Sequence, residues 1–352
     1  RVCTLAVAGG GARAHHDVEV VLATMGAPIT HGQRAQLAPL PDVTVAESRY
    51  RLEWMRDPWD DVRRAGEWLL ELEADVRPDV VHINGYAHAA LPWSAPVCVV
   101  AHSCVLSWWR AVRGEAAPPS WDRYRAAVRA GLARAGMVIA PSAAMLAALA
   151  EYRVALREAR VIPNARSAAR FVPREKYPFV LTVARLWDEG KNAAAVERVA
   201  GDVPWPVYVA GDRGRVGEVP YRNASYIGRF DEPELARWMG HAAIYALPAR
   251  YEPFGLSALE AALCGAALVL GDIPSLREVW EDAACYVHPD DHSGLRDVLR
   301  ELAADGAARA RLGAAARARA ATYTPTRMAA AYHAAYRALL GAHRVEERAC
   351  AS

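Results

Sequence analysis

Short apolar runs ending at Gly, Pro or polar residues alternate with charged segments that carry apolar residues at helical spacing, and the alternation occurs twice along the chain. In the first half the pattern predicts strands over Val2–Ala8, Val18–Thr24, Asp79–Asn84, Val97–His102 and Met137–Ala140, with helices over Asp57–Val76 and Ser120–Ala135. The second half repeats it, with strands over Phe179–Ala184, Val207–Ala210, Ile244–Leu247 and Ala267–Leu270. Its helices fall at Glu232–Gly240, Leu256–Leu263 and Gly294–Ala304. Alternation of this kind gives parallel sheets covered by helices on both faces. The expected fold is α/β: two Rossmann-like, doubly wound domains facing each other across a cleft, joined through the proline-bearing segment Ile162–Pro178. The expected boundaries are 1–162, 163–322 and a C-terminal helix over 323–352; a length of 352 residues accommodates two cores at about 150 residues per domain.

Composition removes other classes. With 53% hydrophobic and 23% charged residues, the chain is ordinary globular protein, and a net charge of +2 gives no long-range attraction for nucleic acid or a membrane. No apolar run approaches the roughly 18 residues of a spanning helix; Ala261–Leu270 is interrupted by Gly265. The absence of a secretory leader makes the cytoplasm the expected location. Six scattered cysteines, with no C-x-x-C pair, exclude a zinc site on spacing and disfavour a disulfide scaffold. Residues Ala307–Leu340 read as helix, rich in Ala and Arg and broken near Thr324-Pro325. A solvated face is preferred there over a membrane-surface helix, because Ala gives little depth of insertion. Only Gly9 to Asp17 separate the first two expected strands, fewer than a parallel crossover needs. Either those strands are not parallel neighbours or a helix is missing, and the second is preferred, since the chain also starts at Arg1 without methionine.

The strongest chemical signal is Arg250-Tyr251-Glu252-Pro253-Phe254-Gly255-Leu256-Ser257-Ala258-Leu259-Glu260, which follows an apolar strand and opens a helix. The N–H groups of Phe254, Gly255, Leu256 and Ser257 are then the free donors of a helix N-terminus, a seat for a diphosphate or sugar hydroxyls. Gly255 permits close approach to the backbone. A carboxylate such as Glu260 accepts two hydroxyls side by side, which suits the vicinal diol of a ribose. The alternative is that Pro253 and Gly255 merely shape a loop and that both glutamates are solvated.

A second signal is the strand ending at Arg185, followed by Leu186–Gly190 and Lys191. Forty of the 42 basic residues are arginine, so Lys191, one of two lysines, stands out. Arg185 and Lys191 place two positive charges where open α/β sheets bind ligands, enough to neutralise a diphosphate leaving group without a metal. The absence of a D-x-D triplet fits. The competing expectation is a surface Arg and Lys paired with Asp188 or Glu189.

The E-x7-E run, the strand-R-x5-K segment, Val161-Ile162-Pro163-Asn164 and Ala210-Gly211-Asp212 together resemble the retaining, GT-B-fold glycosyltransferases of family 4, over most of residues 75–290. The resemblance implies that Arg185 and Lys191 bind the donor diphosphate and that Glu260 holds the ribose. It further implies that Glu252, with the backbone of Phe254, Gly255 and Leu256, holds the sugar and phosphate. Asn164, Gly211 and Ser257 would line the donor site, and the Ile227–Phe230 segment, with Arg229 and Phe230, would meet the base. His102 matches the histidine that reaches the donor sugar, and the C-terminal helix would cross back to the first domain. Where the family pattern has Gly after Asn164, this chain has Ala165, and Gly9, Gly10 and Gly11 stand for its first glycine-rich loop.

The acceptor is less legible. Seven of the eleven tryptophans lie within the first 121 residues; Trp108 and Trp109 offer a ring face, and Gly10, Gly11, Asn84 and Tyr86 are further candidates. His82 ends the same strand as Asn84, His88 reads as incidental, and the acidic segment Glu53–Asp61 is either solvated or attractive to an amine. The expected activity is retaining, metal-independent transfer from a nucleotide-diphospho-sugar, uridine-linked, to a small polar or saccharide acceptor, with no cofactor and the nucleotide-sugar as co-substrate. Alternatives are a nucleotide-sugar 2-epimerase of the same fold and a non-catalytic nucleotide- or sugar-binding protein.

Overall fold

The computed structural model describes residues 2–5, 18–214 and 222–351. It divides into two compact units, one of residues 1–110, 115–162 and 326–352, the other of 111–114 and 163–325. The strands of the first are β1 (Val2–Leu5), β2 (Val20–Thr24), β3 (Val43–Glu47), β4 (Val80–Ile83), β5 (Val97–Val100), β6 (Met137–Ala140) and β7 (Ala159–Val161). They form one sheet in the order β3-β2-β1-β4-β5-β6-β7, and every neighbouring pair is parallel. The winding direction therefore reverses between β1 and β4.

The period of two along a strand divides its side chains between the two faces. Val81, Ile83, Val97 and Val99 pack with Leu69 of helix Trp59–Val76 and with Val128 and Leu132 of helix Asp122–Arg134. Val80, Cys98 and Val100 face the other way, against Ala335 and Leu339 of the C-terminal helix Pro325–Ala351. Full burial of a leucine such as Leu339 contributes about 1.5–3 kcal/mol to holding that helix on this sheet.

The second unit contains β8 (Tyr177–Val183), β9 (Val207–Ala210), β10 (Ser225–Gly228), β11 (Ala242–Leu247), β12 (Ala267–Gly271) and β13 (Cys285–Val287). Their order is β10-β9-β8-β11-β12-β13, again wholly parallel. Every residue of β11 and β12 is buried, as the continuous apolar runs require of strands covered on both sides. Leu181, Tyr245, Leu247, Leu268 and Leu270 face helix Leu256–Leu263, while Val180, Val209, Ile244 and Val269 face helices Ala193–Ala200 and His292–Ala304.

Several expectations change. Strands β3, β7, β10 and β13 escape the periodicity because they are short and lie at or next to sheet edges, where half-exposed positions blunt the apolar run. The short helices His31–Leu37, Val105–Arg113, Ala143–Ala148 and Pro274–Trp280 are likewise additional. Of the two explanations offered for the short spacing between the first two strands, the one that they are not parallel neighbours is excluded, because β1 and β2 pair in parallel. The expected missing helix, with Gly10 and Gly11, lies outside the described residues. At the C-terminal end, helix Gly306–Ala320 stops and a new one starts on Pro325, where the missing proline N–H costs nothing. Among the described residues, no helix is long and apolar enough to cross a membrane.

Candidate active site

In the second unit the winding reverses between β8 and β11, the place where open α/β sheets bind ligands beyond the carboxyl ends of their strands. The loops leaving these two strands carry the two sequence signals. Hydrogen bonds stitch them together: the Gly190 carbonyl accepts from the Arg250 and Tyr251 amides at 2.9 and 3.0 Å. The Asn192 side-chain amide donates to the carbonyls of Pro248 and Pro289, both at 2.8 Å, and its oxygen accepts from Arg250. Asn192 tolerates the left-handed φ of 54° that turns the chain from the 3₁₀ turn Glu189–Lys191 into the following helix.

Lys191 Nζ lies 2.8 Å from Glu252 Oε2, and their side chains are only 11% and 14% exposed. The other carboxylate oxygen, Oε1, accepts the Gly255 amide at 2.9 Å and the Phe254 amide at 3.4 Å. Ser275 Oγ donates to the Glu252 carbonyl at 2.6 Å. Burial pushes the Glu252 carboxyl upward, but the Lys191 charge and these hydrogen bonds outweigh it and hold the group below the ordinary carboxylate range. Glu252 is thus an ionised acceptor, and Lys191 pairs with it rather than with Asp188 or Glu189. Arg185 is 59% exposed and does bond Asp188, at 2.9 Å.

Gly255 precedes helix Leu256–Leu263 at φ 89°, a conformation that side chains disfavour. Leu259 donates the first intrahelical bond, to Gly255, so the amides of Leu256 and Ser257 lie ahead of the helical ladder. The expected run of four open donors shortens, because Phe254 and Gly255 already serve Glu252. The Phe254 ring is buried, edge-on to Tyr323, and contributes to the core. Tyr245 of β11 donates to Ser257 Oγ at 2.7 Å and fixes that hydroxyl.

Glu260 is buried within the helix, with Arg166 Nε 2.5 Å from its Oε1. Burial raises its pKa, and Arg166 offsets part of that rise. One oxygen is thereby engaged, so the expected bidentate grip on a diol meets a carboxylate already half occupied. Gly211, at φ 139°, donates to the Gly228 carbonyl at 2.8 Å; a Cβ there would lie 1.8 Å from the Ala184 oxygen, so β8 and β9 exits approach only through glycine. Phe230 stacks on Trp238 at 5.9 Å, Arg229 is exposed, and Asn164 is half-buried.

His102, Asn84, Tyr86, Trp108 and Trp109 belong to the first unit. His102 follows β5 and bonds Asn84 Oδ1 through Nε2 at 2.7 Å; the same oxygen lies 3.2 Å from His82 Nε2. Desolvation by the surrounding protein shifts the His102 ring toward the neutral imidazole, although the residue is solvent-exposed. Tyr86 is not a lining residue: it is 3% exposed, with its hydroxyl on the Ser103 carbonyl. Glu53 is neither solvated nor available to an amine, because it is buried and accepts the Tyr86 and Ala87 amides. Trp108 and Trp109 meet edge to face at 5.9 Å, and Trp109 packs on the first-unit core.

The family model for Glycosyltransferase Family 4 matches residues 2–170, and that for Glycosyl transferases group 1 matches residues 166–319. Glycogen synthase of Mycobacterium tuberculosis is 32% identical over 289 residues, covering 73% of this chain and 68% of that protein. The chain belongs to the family 4 and group 1 glycosyltransferases. The D-inositol 3-phosphate glycosyltransferase of Xylanimonas cellulosilytica is 44% identical over 86 residues, 24% of this chain and 21% of its own. Among solved structures, sucrose-phosphate synthase from Thermosynechococcus elongatus superposes with TM-score 0.78 at 19% identity, over 92% of this chain and 90% of that one. Anabaena HepE, solved with UDP and glucose, gives 0.72 at 16% identity over 95% and 98%. These two establish the GT-B fold.

In this glycosyltransferase the structure gathers Arg185, Lys191, Glu252, Gly255, Leu256, Ser257 and Gly211 at the carboxyl ends of β8, β9 and β11. Sequence reasoning missed Asn192, Arg166, Ser275 and Tyr245. Their partners lie far along the chain, and only the position of Asn192 beside Lys191 hinted at its use.

Proposed function

We propose that this glycosyltransferase transfers a sugar from a nucleoside-diphosphate donor, uridine-linked, to a small polar or saccharide hydroxyl with retention of configuration and without a metal ion. The observation that carries the reading is the buried Lys191–Glu252 pair beside the Leu256 and Ser257 amides at the reversal of the second sheet. That the Anabaena neighbour was solved with UDP and glucose supports it.

In this reading the diphosphate sits on the helix amides, where backbone N–H groups and the helix dipole favour an anion. Lys191 has three donors; Glu252 takes one, and a phosphate oxygen takes another. Arg185, on its exposed side chain, adds a second charge. Glu252 accepts sugar hydroxyls, and the free oxygen of Glu260 accepts a ribose hydroxyl. Asn164, Gly211, Arg229 and Phe230 border the nucleoside. As the bond from the anomeric carbon to the diphosphate oxygen breaks, negative charge grows on that diphosphate, and Lys191, Arg185 and the amides stabilise it. The acceptor hydroxyl forms its bond on the face the diphosphate leaves and passes its proton to a leaving phosphate oxygen. No protein nucleophile is required. His102, in the first unit, is read as a contact to a sugar hydroxyl.

The test is turnover of UDP-glucose, in EDTA, over a panel of saccharides and polyols, with the product's anomeric configuration read by proton NMR. An α-linked product supports the reading. A β-linked product overturns retention, and activity that returns only with added divalent metal overturns metal independence.

A further inference from the structure

A line of hydrogen bonds in the first unit runs from His102, beyond β5, to the C-terminal helix. His102 Nε2 lies 2.7 Å from Asn84 Oδ1, which lies 3.2 Å from His82 Nε2, and His82 Nδ1 lies 2.6 Å from the Tyr336 hydroxyl. His82 is 7% exposed and stacks on Tyr332 at 5.6 Å, so its ring has little freedom to turn.

The protons along this line can be counted. An amide oxygen only accepts, so both imidazoles bring N–H to Asn84 through Nε2. A neutral imidazole carries one N–H, and burial keeps His82 neutral by lowering its pKa to about 4. His82 Nδ1 is then bare and accepts from the Tyr336 hydroxyl, which burial holds in its protonated form. By the same count, His102 keeps its proton on Nε2, and its Nδ1 is a bare acceptor.

We propose that Tyr336 is a positioning residue which, through His82 and Asn84, fixes His102 in the Nε2–H tautomer, so that His102 offers a lone pair to a donating sugar hydroxyl. The proposal rests on the reading of His102 as a substrate contact. It gives the C-terminal helix a task beyond packing on the first sheet: its hydroxyl sets the polarity of a ring two side chains away. Without that hydroxyl His82 Nδ1 is left buried and unsatisfied, the preference for its Nε2–H form is lost, and Asn84 Oδ1 loses its fixed donor on the His82 side.

Nitrogen–proton correlation NMR of the histidine side chains in the full chain, without substrate, reads the tautomer directly; His102→Gln assigns the signal. The expected result is a single Nε2–H pattern for His102 in the unmodified protein and in Tyr332→Phe, whose ring contacts His82 by stacking. Tyr336→Phe, and independently Asn84→Leu, convert it to a mixture of tautomers. In Tyr336→Phe, kcat for transfer falls while the dissociation constant for UDP stays unchanged, and Tyr332→Phe alters neither. An Nδ1–H pattern in the unmodified protein, or an unaltered Nε2–H pattern in both Tyr336→Phe and Asn84→Leu, overturns the proposal. Because the tautomer is read without turnover, an absence of transfer activity bears on the proposed function alone.

Discussion

Replacing Lys191 by methionine tests whether the buried pair at the reversal of the second sheet holds its loops together. The substitution keeps the length and apolar stem of the side chain and leaves Glu252 buried opposite no charge. Removing one partner of a buried pair costs about 3–5 kcal/mol. Residual exposure of 11% and 14% places this pair near the lower end, at about 3 kcal/mol, or roughly 150-fold in the unfolding constant. The loss depends on pH. In the unmodified protein the Glu252 pKa is lowered, so its stabilisation is present above the unfolded carboxylate value and is lost as pH falls through the folded value. Without Lys191, burial dominates and the pKa rises, so the variant's deficit is largest near neutrality and narrows in acid. Lys191→Met/Glu252→Met removes both charges and recovers to within about 1 kcal/mol of the unmodified protein. Equilibrium urea unfolding of the full chain near neutrality and in mild acid measures all three. A single variant within about 0.5 kcal/mol of the parent, or a double variant that loses the sum of both singles, would show that the pair does not hold these loops.

Further outcomes follow from the same geometry. Gly255→Ala forces a side chain into φ 89°, with its Cβ 3.2 Å from Leu276 Cδ2, and lowers the thermal midpoint by the equivalent of about 1–3 kcal/mol. Glu53, raised by burial to about 7, favours folding most when protonated. Its contribution is present below the unfolded value and lost as pH rises through about 7, a change of about 3 kcal/mol that Glu53→Gln flattens in a stability–pH profile. Arg185→Ala, at an exposed position, changes stability by less than about 1 kcal/mol in urea unfolding while UDP affinity falls about tenfold or more in calorimetry.

The central strands were legible because burial on both faces leaves continuous apolar runs such as Val97–Val100 and Ala242–Leu247. Edge strands such as Ala159–Val161, with two of three residues exposed, carry no such mark. The helix after Gly255 was legible for a local reason: glycine, then an apolar run of good helix formers. What escaped was long-range pairing. Nothing in the sequence ties Lys191 to Glu252, 61 positions on, or Arg166 to Glu260, 94 positions on. Tyr86 and Glu53 were misread for the same reason. A tyrosine just past a strand looks like a site residue and a glutamate in an acidic run looks solvated, and only the fold shows one in the core and the other buried on two backbone amides.

On the proposed function, the loops after β8 and β11 hold a nucleoside diphosphate by charge and backbone amides. Calorimetric titration of the full chain with UDP, in EDTA, tests it most directly, with Arg185→Ala as the matched variant. The expected result is one site per chain, filled in the absence of metal and weakened about tenfold or more, at least 1.4 kcal/mol, by the substitution. Equal affinity in the two proteins, or no heat with UDP, GDP, ADP or dTDP, would contradict it.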